Sequence, residues 1–327
     1  MEKEGKYMKK LLAFVCLSLS LMILVSLMSG CIQKDVSSTD VTKEHVIRIG
    51  YQKNCPFVIL RGLGTLEERL EPLGYTVEWK EFQAGPALTE ALHAGSIDIG
   101  RTGNSPVIFA QAAGTKFVTL AAGKPKYEGS GILVPKDAEI SSVAELKGKT
   151  IGFANGSSSH YLIVKALQHA GLNYEDITPA FLSPGDARVA FEQGNIDAMV
   201  VWDPFTASTE LHSEGKLLTN GEGLTTDRDF FIATEEFAEK HQEIATIVIE
   251  EVNKSSEWAN NHHEALIEML APILNLDQES IKIAVERRVY GVDEINHDII
   301  AEQQDIADTF YELGIIPKRI DVSEVME

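Results

Sequence analysis

The sequence predicts an α/β protein of two similar lobes, each a mainly parallel sheet flanked by helices, with two crossings of the chain between them. Strand-like and helix-like segments alternate over the first two thirds, an order that produces parallel sheets. The pattern Gly-x-Ile-Asp closes each of two similar series of segments, at Gly95–Asp98 and again at Gly194–Asp197. The last third shows helical periodicity alone. We therefore expect two α/β units, with the carboxyl-terminal helices packed on the first unit.

Length, composition and charge limit what the protein can be. A chain of 327 residues, 44% of them hydrophobic, is long enough for two domains of about 100 to 150 residues each. The 29 Lys and Arg residues stand against 49 Asp and Glu residues, which gives a net charge of −20. This balance argues against a nucleic-acid partner. If a small anion binds, local dipoles must capture it, because the overall field repels it.

Residues 1–30 resemble a bacterial lipoprotein signal peptide. Lys9 and Lys10 precede an apolar segment from Leu11 to Leu27, and Met28-Ser29-Gly30-Cys31 forms the cleavage site. We expect Cys31 to be lipidated and to anchor an extracytoplasmic protein to the cell membrane. The alternative is an uncleaved anchor helix, which also places the rest of the chain outside the membrane. Residues 31–45 are polar and aperiodic, as expected for a tether.

The three cysteines predict no intrachain disulfide. Cys16 lies in the predicted signal peptide and Cys31 would carry lipid, so Cys55 is left alone. It precedes Pro56, and the sequence shows no nearby base that would activate a thiol. We expect Cys55 to pack as a small apolar group.

The predicted elements divide the chain into lobes. The first lobe starts with the strand Val46–Tyr51 and continues with a helix over 57–72 and a strand over Tyr75–Phe82. Glycine-containing crossings are expected at Lys126–Gly131 and at Gly221–Asp229. We predict a first lobe of residues 46–129 with 228–327 and a second lobe of residues 130–227. Helices of the last third are expected at Ala245–Ala259, His263–Leu274, Gln278–Val289 and Asp298–Leu313.

A serine-rich turn is the strongest indication of a binding site. A buried strand ending near Gly156 is followed by Ser157, Ser158 and Ser159, and then by apolar residues with helical spacing. The first backbone N–H groups of a helix have no intrahelical partner, and the helix dipole is positive there, so such a turn favours an anion. The alternative is that one serine merely caps the helix.

Other loops are expected at the same edges of the two sheets. Ligands of open α/β sheets bind outside the carboxyl ends of the strands. The loops with Gln52, with Gly85, and with Thr102 and Gly103 all follow predicted strands. The backbone N–H groups of Gly103 and Asn104 from one lobe could therefore face those of Ser158 and Ser159 from the other.

Short motifs extend over nearly the whole chain beyond residue 45. They are Arg48–Lys53, Phe82–Gly103, Pro106–Gly114, Gly156–His160, Asp186–Arg188, Gln193–Ala198, Trp202–Pro204 and Phe310-Tyr311. Together they resemble the aliphatic sulfonate-binding proteins of ABC importers, within the nitrate, sulfonate and taurine binding family. The resemblance implies a type II periplasmic-binding-protein fold, a sulfonate ligand held in a cleft between the lobes, a permease with its ATPase as partner, and a monomer. No cofactor and no metal are implied.

The resemblance also bears on single residues. Arg288 matches the cleft arginine of these proteins by position, with a solvated helix face as the alternative. Trp202 could form an apolar wall for an alkyl group or belong to the core. Asp203, before Pro204, could cap a helix or contact an amino or hydroxyl substituent of the ligand. Asn104 stands where these proteins are expected to carry Asp, which leaves the identity of the anion open.

Three other functions compete with sulfonate transport. An enzyme of the same fold would need a metal or nucleophile cluster, and the nine histidines are scattered. His160 is interpreted as a packing or capping residue. A ligand-sensing module for a membrane receptor would have the same cleft. Within binding proteins, taurine, nitrate or another small oxyanion is the nearest alternative ligand.

Overall fold

The computed structural model describes residues 45–53 and 55–326. The predicted signal peptide, the lipidation of Cys31 and nearly all of the predicted tether lie outside these residues. Within them the chain forms one six-stranded and one five-stranded sheet. The first strand begins at His45, at the last residue of the predicted tether.

The two sheets take their strands from different parts of the chain. The strands are β1 (His45–Tyr51), β2 (Tyr75–Glu81), β3 (Ile99–Gly103), β4 (Phe117–Gly123), β5 (Ser130–Pro135), β6 (Thr150–Phe153), β7 (Thr178–Phe181), β8 (Ala198–Trp202), β9 (Gly215–Asn220), β10 (Asp229–Thr234) and β11 (Val292–Asp293). The six-stranded sheet has the order β11-β4-β10-β3-β1-β2, and the five-stranded sheet has the order β7-β6-β8-β5-β9. The chain therefore passes from the first sheet to the second before β5 and returns before β10.

Strand direction shows how each crossing joins its sheet. β1 pairs in parallel with β2 and β3, whereas β10 lies antiparallel between β3 and β4. In the other sheet β6 pairs in parallel with β7 and β8, and β5 lies antiparallel between β8 and β9. The first strand after each crossing is thus antiparallel to both of its neighbours. Within the first sheet β1 to β4 share one direction, and within the second sheet β6 to β9 share one direction. The prediction of two mainly parallel α/β units is confirmed.

Helices cover the sheets. They are α1 (Pro56–Leu63), α2 (Thr65–Leu70), α3 (Gly85–His93), α4 (Asn104–Ala112), α5 (Ser158–His169), α6 (Pro184–Glu192), α7 (Phe205–His212), α8 (Glu235–Lys240), α9 (Gln242–Asn261), α10 (His263–Leu274), α11 (Gln278–Glu286) and α12 (His297–Glu312). Short 3-10 helices lie at Glu71–Leu73, Tyr127–Gly129, Val143–Leu146, Tyr174–Asp176 and Val322–Val325. Over residues 45–53 and 55–326, none of the helices has the length and apolar character that a membrane span requires.

One predicted helix is wrong in its extent. The single helix expected over 57–72 is two helices, α1 and α2, separated at Gly64. Gly64 has φ 72°, a left-handed conformation that glycine adopts without steric cost, and its N–H donates to the carbonyl of Leu60. Gly64 therefore ends α1, although apolar residues with helical spacing continue beyond it.

Matching residues of the two copies of the internal repeat make the same contacts in both sheets. A Cβ added at Gly50 of β1 would lie 2.5 Å from Cδ1 of Ile97, and one added at Gly152 of β6 would lie 2.5 Å from Cδ1 of Ile196. Each Gly-x-Ile-Asp isoleucine therefore packs on the glycine of its neighbouring strand. The following aspartates match as well. Asp98 Oδ2 accepts from the backbone N–H of Arg48 at 2.8 Å, and Asp197 Oδ2 accepts from that of Thr150 at 2.8 Å.

The carboxyl-terminal helices pack on the first unit, as predicted. Residues of α9, α10 and α11 share one buried cluster with β1 and α1, in which Cys55 is fully buried as expected. Phe310 of α12 belongs to a second cluster with residues of α3 and α4. That cluster also includes Tyr161 and Val164 of α5, so an apolar contact joins the layers of the two sheets.

Candidate ligand-binding site

Two helix N-termini, one from each sheet, form the centre of the candidate site. α4 starts at Asn104 directly after β3, and α5 starts at Ser158 after the loop that follows β6. The N-cap residues Gly103 and Ser157 have extended backbones, and neither helix carries a side-chain cap at that position. The Ser157 hydroxyl instead donates to the carbonyl of Ala154 at 2.7 Å. The simple capping role considered for a serine is therefore not found at Ser157.

The two N-termini lie against each other. A Cβ added at Gly103 would overlap the Ser158 hydroxyl, and one added at Gly85 would overlap Oγ1 of Thr102. Beside them, a Cβ at Gly156 would lie 3.2 Å from the ring of Phe109 on α4. The structure therefore brings Gly85, Thr102, Gly103 and Ser158 together, as the positions of their loops predict.

Two buried hydroxyl groups at this junction have no partner. Thr102 is 0% exposed and Ser159 is 1% exposed, and among the described residues neither hydroxyl has a hydrogen-bond partner. Leaving a buried polar group without a partner costs about 1 to 3 kcal/mol. Both residues adjoin the helix N-termini, where an anion is favoured. Two such hydroxyls beside two helix N-termini are candidate donors to an anion.

Asn104 is held by the scaffold. Its Oδ1 accepts from the N–H of Ser105 at 2.8 Å, and its Nδ2 lies 3.3 Å from Oγ1 of Thr225 in the second crossing. Its carbonyl accepts from Gln303 of α12 at 3.0 Å. The backbone N–H of Asn104 is thus the part of this residue that can serve a ligand, because its side chain already holds the crossing and the helix.

A buried group of charges lies next to these N-termini. Arg101 of β3 pairs with Asp229 of β10, and Arg288 donates to the same carboxylate at 3.0 Å. Lys126 of the first crossing donates to Asp227 of the second crossing at 2.6 Å. Asp229 is the strand partner of Gly103, which places this group beside the start of α4.

The pKa values of the buried cations are shifted without removing their charge at neutral pH. Burial lowers the pKa of Arg101 to about 10 and that of Lys126 to about 8. Both side chains therefore remain cationic at pH 7. The chain as a whole is acidic, but this region supplies positive charge next to the helix N-termini.

Sequence reasoning missed Arg101, Lys126, Asp227 and Asp229. Arg101 lies in the segment Ile99–Gly103, all of which is buried. A charged residue inside an otherwise buried strand was a detectable signal, because such residues are seldom buried unless they are paired. The two aspartates and Lys126 gave no comparable signal, because they lie in segments that were interpreted only as crossings.

Two predicted residues adjoin this group of charges. Gln52 is 4% exposed and its Oε1 lies 3.5 Å from Nη1 of Arg101. Arg288 follows the end of α11 at Glu286, and the guanidinium centre lies 4.6 Å from the ring centroid of Tyr290. Only 6% of the Arg288 side chain is exposed, so the alternative of a solvated helix face is wrong.

Trp202 and Asp203 line a small cavity at the end of β8. The cavity has a volume of about 20 Å³ and is also lined by Arg101, Lys126 and Arg288, which is about enough space for one water molecule. Trp202 is partly exposed there, so it is not a fully buried core aromatic. Asp203 Oδ1 accepts from the N–H of Ala207 in the first turn of α7 at 3.0 Å, but the N-cap position is Pro204 and carries no side-chain cap, so the N-cap role considered for Asp203 is wrong.

His160 is a packing residue, as interpreted. It is 1% exposed, its Nδ1 accepts from the N–H of Gly156 at 3.2 Å, and its Nε2 lies 2.9 Å from the hydroxyl of Tyr174. Burial lowers the pKa of His160 to about 4. Across the described part of the chain, no group of three or more His, Cys, Asp or Glu residues is arranged to hold a metal ion.

Known proteins share this fold and much of this sequence. A family model described as NMT1/THI5 like matches residues 74–265. A curated relative from Bacillus subtilis (strain 168), named for binding aliphatic sulfonates, is 33% identical over 94% of this chain and 93% of its own length. A relative with the same description from Escherichia coli (strain K12) is 38% identical over 85% of this chain and 87% of its own length.

A solved structure gives the same result at the level of the fold. The alkanesulfonate-binding protein from Xanthomonas axonopodis pv. citri, solved with bound MOPS, is 36% identical to this chain. The two structures superpose with a TM-score of 0.83, and the match covers 86% of this chain and 97% of that protein.

Proposed function

Because this chain belongs to the NMT1/THI5-like family and to its aliphatic sulfonate-binding members, we propose that it captures an aliphatic sulfonate in the cleft between its two sheets. It has the two-lobed periplasmic-binding-protein fold of these relatives. The relatives are extracytoplasmic substrate-binding proteins and not enzymes, which sets the enzyme alternative aside for this chain.

The observation that carries this proposal is the pair of buried hydroxyls of Thr102 and Ser159 at two facing helix N-termini, neither of which has a partner in the described part of the chain. A sulfonate stays ionised at physiological pH and presents three oxygens to donors. Hydrogen bonds to a charged group contribute about 1.5 to 3 kcal/mol each, so three give roughly 4.5 to 9 kcal/mol before ordering costs. Micromolar binding corresponds to about −8 kcal/mol, which is in the same range.

The proposed site uses groups of three kinds. The headgroup is held by the hydroxyls of Thr102, Ser158 and Ser159 and by N–H groups at the starts of α4 and α5. Trp202 lies against the alkyl group. Gln52, Asp203 and Arg288 form the surrounding polar wall. Gly85 leaves room beside Thr102. Ser157 and Asn104 contribute through their backbone groups.

Capture is proposed to close the cleft. The donors come from residues 46–129 on one side and from residues 130–227 on the other, the two lobes predicted from the sequence, with 228–327 belonging to the first. A ligand that bonds both sides favours the closed state by its differential affinity for that state. The same closed form is then the one that an ABC permease and its ATPase would receive.

We also propose that the protein works as a monomeric lipoprotein, with residues 1–30 removed and Cys31 lipidated. The signal-like sequence of residues 1–31 supports this. Mass spectrometry of the protein from its native membrane would show a diacylglycerol adduct on Cys31. An unmodified residue 1 or an intact Leu11–Leu27 segment would contradict the lipoprotein assignment.

A thermal-shift panel tests the function. Alkanesulfonates of different lengths, taurine, sulfate, nitrate and a chain-matched carboxylate are each added at 100 times the expected Kd. A sulfonate ligand should raise the Tm by about 5 °C or more at pH 7 and still at pH 5. A shift with nitrate or the carboxylate alone would contradict the substrate class. Copurification with the permease would then separate a transport subunit from a sensing module.

A further inference from the structure

Asp203 lines the small cavity at the end of β8. The residue is 7% exposed, and its Oδ1 is used by the N–H of Ala207, but Oδ2 has no hydrogen-bond partner among the described residues. The first crossing approaches this oxygen closely, because a Cβ added at Gly129 would lie 2.9 Å from it. An ionised carboxylate oxygen is an acceptor only, so Oδ2 needs a proton-bearing partner.

The charged groups nearest to Asp203 do not supply that partner. Arg287 places Nη1 3.6 Å from Oδ1 rather than on Oδ2, and its Nη2 donates to Glu210 of α7 at 2.7 Å. Glu210 therefore shares this arginine and adds negative charge on the same side. The guanidinium is divided between two carboxylates, which leaves Asp203 only partly compensated.

The other charged groups around the cavity bond to partners other than Asp203. Lys126 bonds Asp227, Arg101 and Arg288 pair with Asp229, and Lys53 donates to the carbonyl of Leu274 at 3.1 Å. Tyr290 lies under Arg288, and burial raises its pKa to about 12, so it stays neutral. Asp227 also has one oxygen, Oδ1, without a partner among the described residues, but its Oδ2 accepts from both Lys126 and Ser130, so its charge is compensated where that of Asp203 is not.

We propose that Asp203 is a proton-binding site linked to solute capture, so that the cleft holds an alkanesulfonate when the Asp203 carboxyl is neutral. In that form Oδ2–H donates a hydrogen bond, whereas the ionised form repels an anion in the same cleft. The inference rests on the proposed function and adds to it a residue that sets when the anion is accepted. Burial also raises the pKa of Asp203 to about 7 in the free protein, so the proton is available near neutral pH.

The proposed coupling between the proton on Asp203 and ligand binding fixes how the affinity changes with pH. Below pH 7 the free protein already carries the proton, and affinity does not depend on pH. Above pH 7 the proton must be taken up with the ligand, so the affinity falls about tenfold for each pH unit. Between pH 6 and pH 8.5 the Kd for an alkanesulfonate should therefore rise about 30-fold.

Isothermal titration of the purified protein with butane-1-sulfonate at pH 6, 7, 8 and 8.5 tests the proposal. Buffers without a sulfonate group are used, in pairs that differ in ionisation enthalpy, so that the same data give the number of protons taken up. We expect an uptake of about 0.9 proton at pH 8. A Kd that is constant from pH 6 to pH 8.5, or no proton uptake at pH 8, would overturn the proposal.

Asp203→Asn is the matched variant, because the amide keeps an oxygen for the N–H of Ala207 and places a permanent donor at the position of Oδ2. Its Kd should not vary with pH. Lys126 also titrates near this range, and its loss of charge would weaken anion binding in the same direction. If Asp203→Asn keeps the wild-type slope, Lys126 is responsible and the proposal is wrong.

A second variant covers a failure of Asp203→Asn to fold. Glu210→Gln removes the negative charge that shares Arg287, so the pH at which affinity begins to fall should move to lower pH. An unchanged onset would contradict the assignment to Asp203. If no sulfonate binds at any pH, the proposed function fails instead, whereas pH-independent binding of a sulfonate overturns this inference alone.

Discussion

The Ser158 hydroxyl occupies the space beside Gly103 where any other residue would carry its Cβ. Gly103 has φ −82° and ψ −178°, an extended conformation open to every residue, so the requirement for glycine here comes from the neighbour and not from the backbone. The two residues precede or start helices that belong to different sheets. Their contact therefore shows that the N-termini of α4 and α5 lie side by side.

Gly103→Ala should weaken sulfonate binding at least tenfold while leaving the chain folded. The added methyl group displaces the Ser158 hydroxyl, while Cβ of Ser158 stays at an ordinary contact distance of 3.5 Å, so the serine must turn its hydroxyl away from the position in which it would serve the headgroup. Isothermal titration gives the affinity and urea unfolding gives the stability. Gly185→Ala is the matched control, because nothing lies within 4 Å of a Cβ at that position, and it should bind as the wild type does. Equal affinities for both variants would contradict a role of the Ser158 hydroxyl at the headgroup.

Thr102→Val should lower the affinity for an alkanesulfonate about 10- to 100-fold, because the variant loses one hydrogen bond to a charged group worth about 1.5 to 3 kcal/mol. Thr119→Val makes the same change at another buried hydroxyl that lacks a partner within the described residues, on β4 rather than at the start of α4 or α5. Both variants should be as stable as the wild type or more so, since each removes an unsatisfied buried group. Only Thr102→Val should lose affinity, and a similar loss in the control would contradict a direct role.

Asp229→Asn should cost about 3 to 5 kcal/mol of unfolding free energy, the range for removal of one partner from a buried ion pair. Asp229 is 0% exposed and compensates both Arg101 and Arg288. Urea unfolding at pH 7 measures the loss. Lys240→Gln, which removes an exposed ion pair with Glu236, should have no measurable effect. A loss below about 1 kcal/mol for Asp229→Asn would mean that the network is not held by this carboxylate.

His160 should make the protein less stable as the solution becomes acidic. Its folded pKa of about 4 lies below the ordinary value of 6.5, so the unfolded chain binds a proton first, and stability is lost as the pH falls from 6.5 toward 4. This contribution amounts to about 2 kcal/mol at pH 5. His160→Gln should reduce the difference in unfolding free energy between pH 7 and pH 5 by that amount. An unchanged difference would show that His160 does not titrate on unfolding.

The sequence predicts the repeat well because its residues act locally. Ile97 and Ile196 pack on glycines of neighbouring strands, and Asp98 and Asp197 each bond one backbone N–H. Such roles depend on residue type and spacing along the chain, which are visible without coordinates. The end of α1 at Gly64 is equally local, but apolar periodicity continues through this glycine and predicts one longer helix.

The candidate site is only partly predictable for the opposite reason. The facing N-termini of α4 and α5 follow from the rule that loops at strand ends meet. The pairing of Arg101 with Asp229 joins residues far apart in sequence, and nothing local selects one partner over another. The same is true of Asp203. Its bond to the N–H of Ala207 is local, whereas the surroundings of its second oxygen include Gly129 of the first crossing.

A crystal structure of the protein with butane-1-sulfonate tests the central claim most directly. The sulfonate oxygens should lie within about 3.2 Å of Oγ1 of Thr102 and Oγ of Ser159, the distance of an ordinary hydrogen bond, so that donors from both sheets hold one headgroup. A headgroup bound by Arg101, Lys126 or Arg288 alone, with both hydroxyls still without a partner, would contradict the claim.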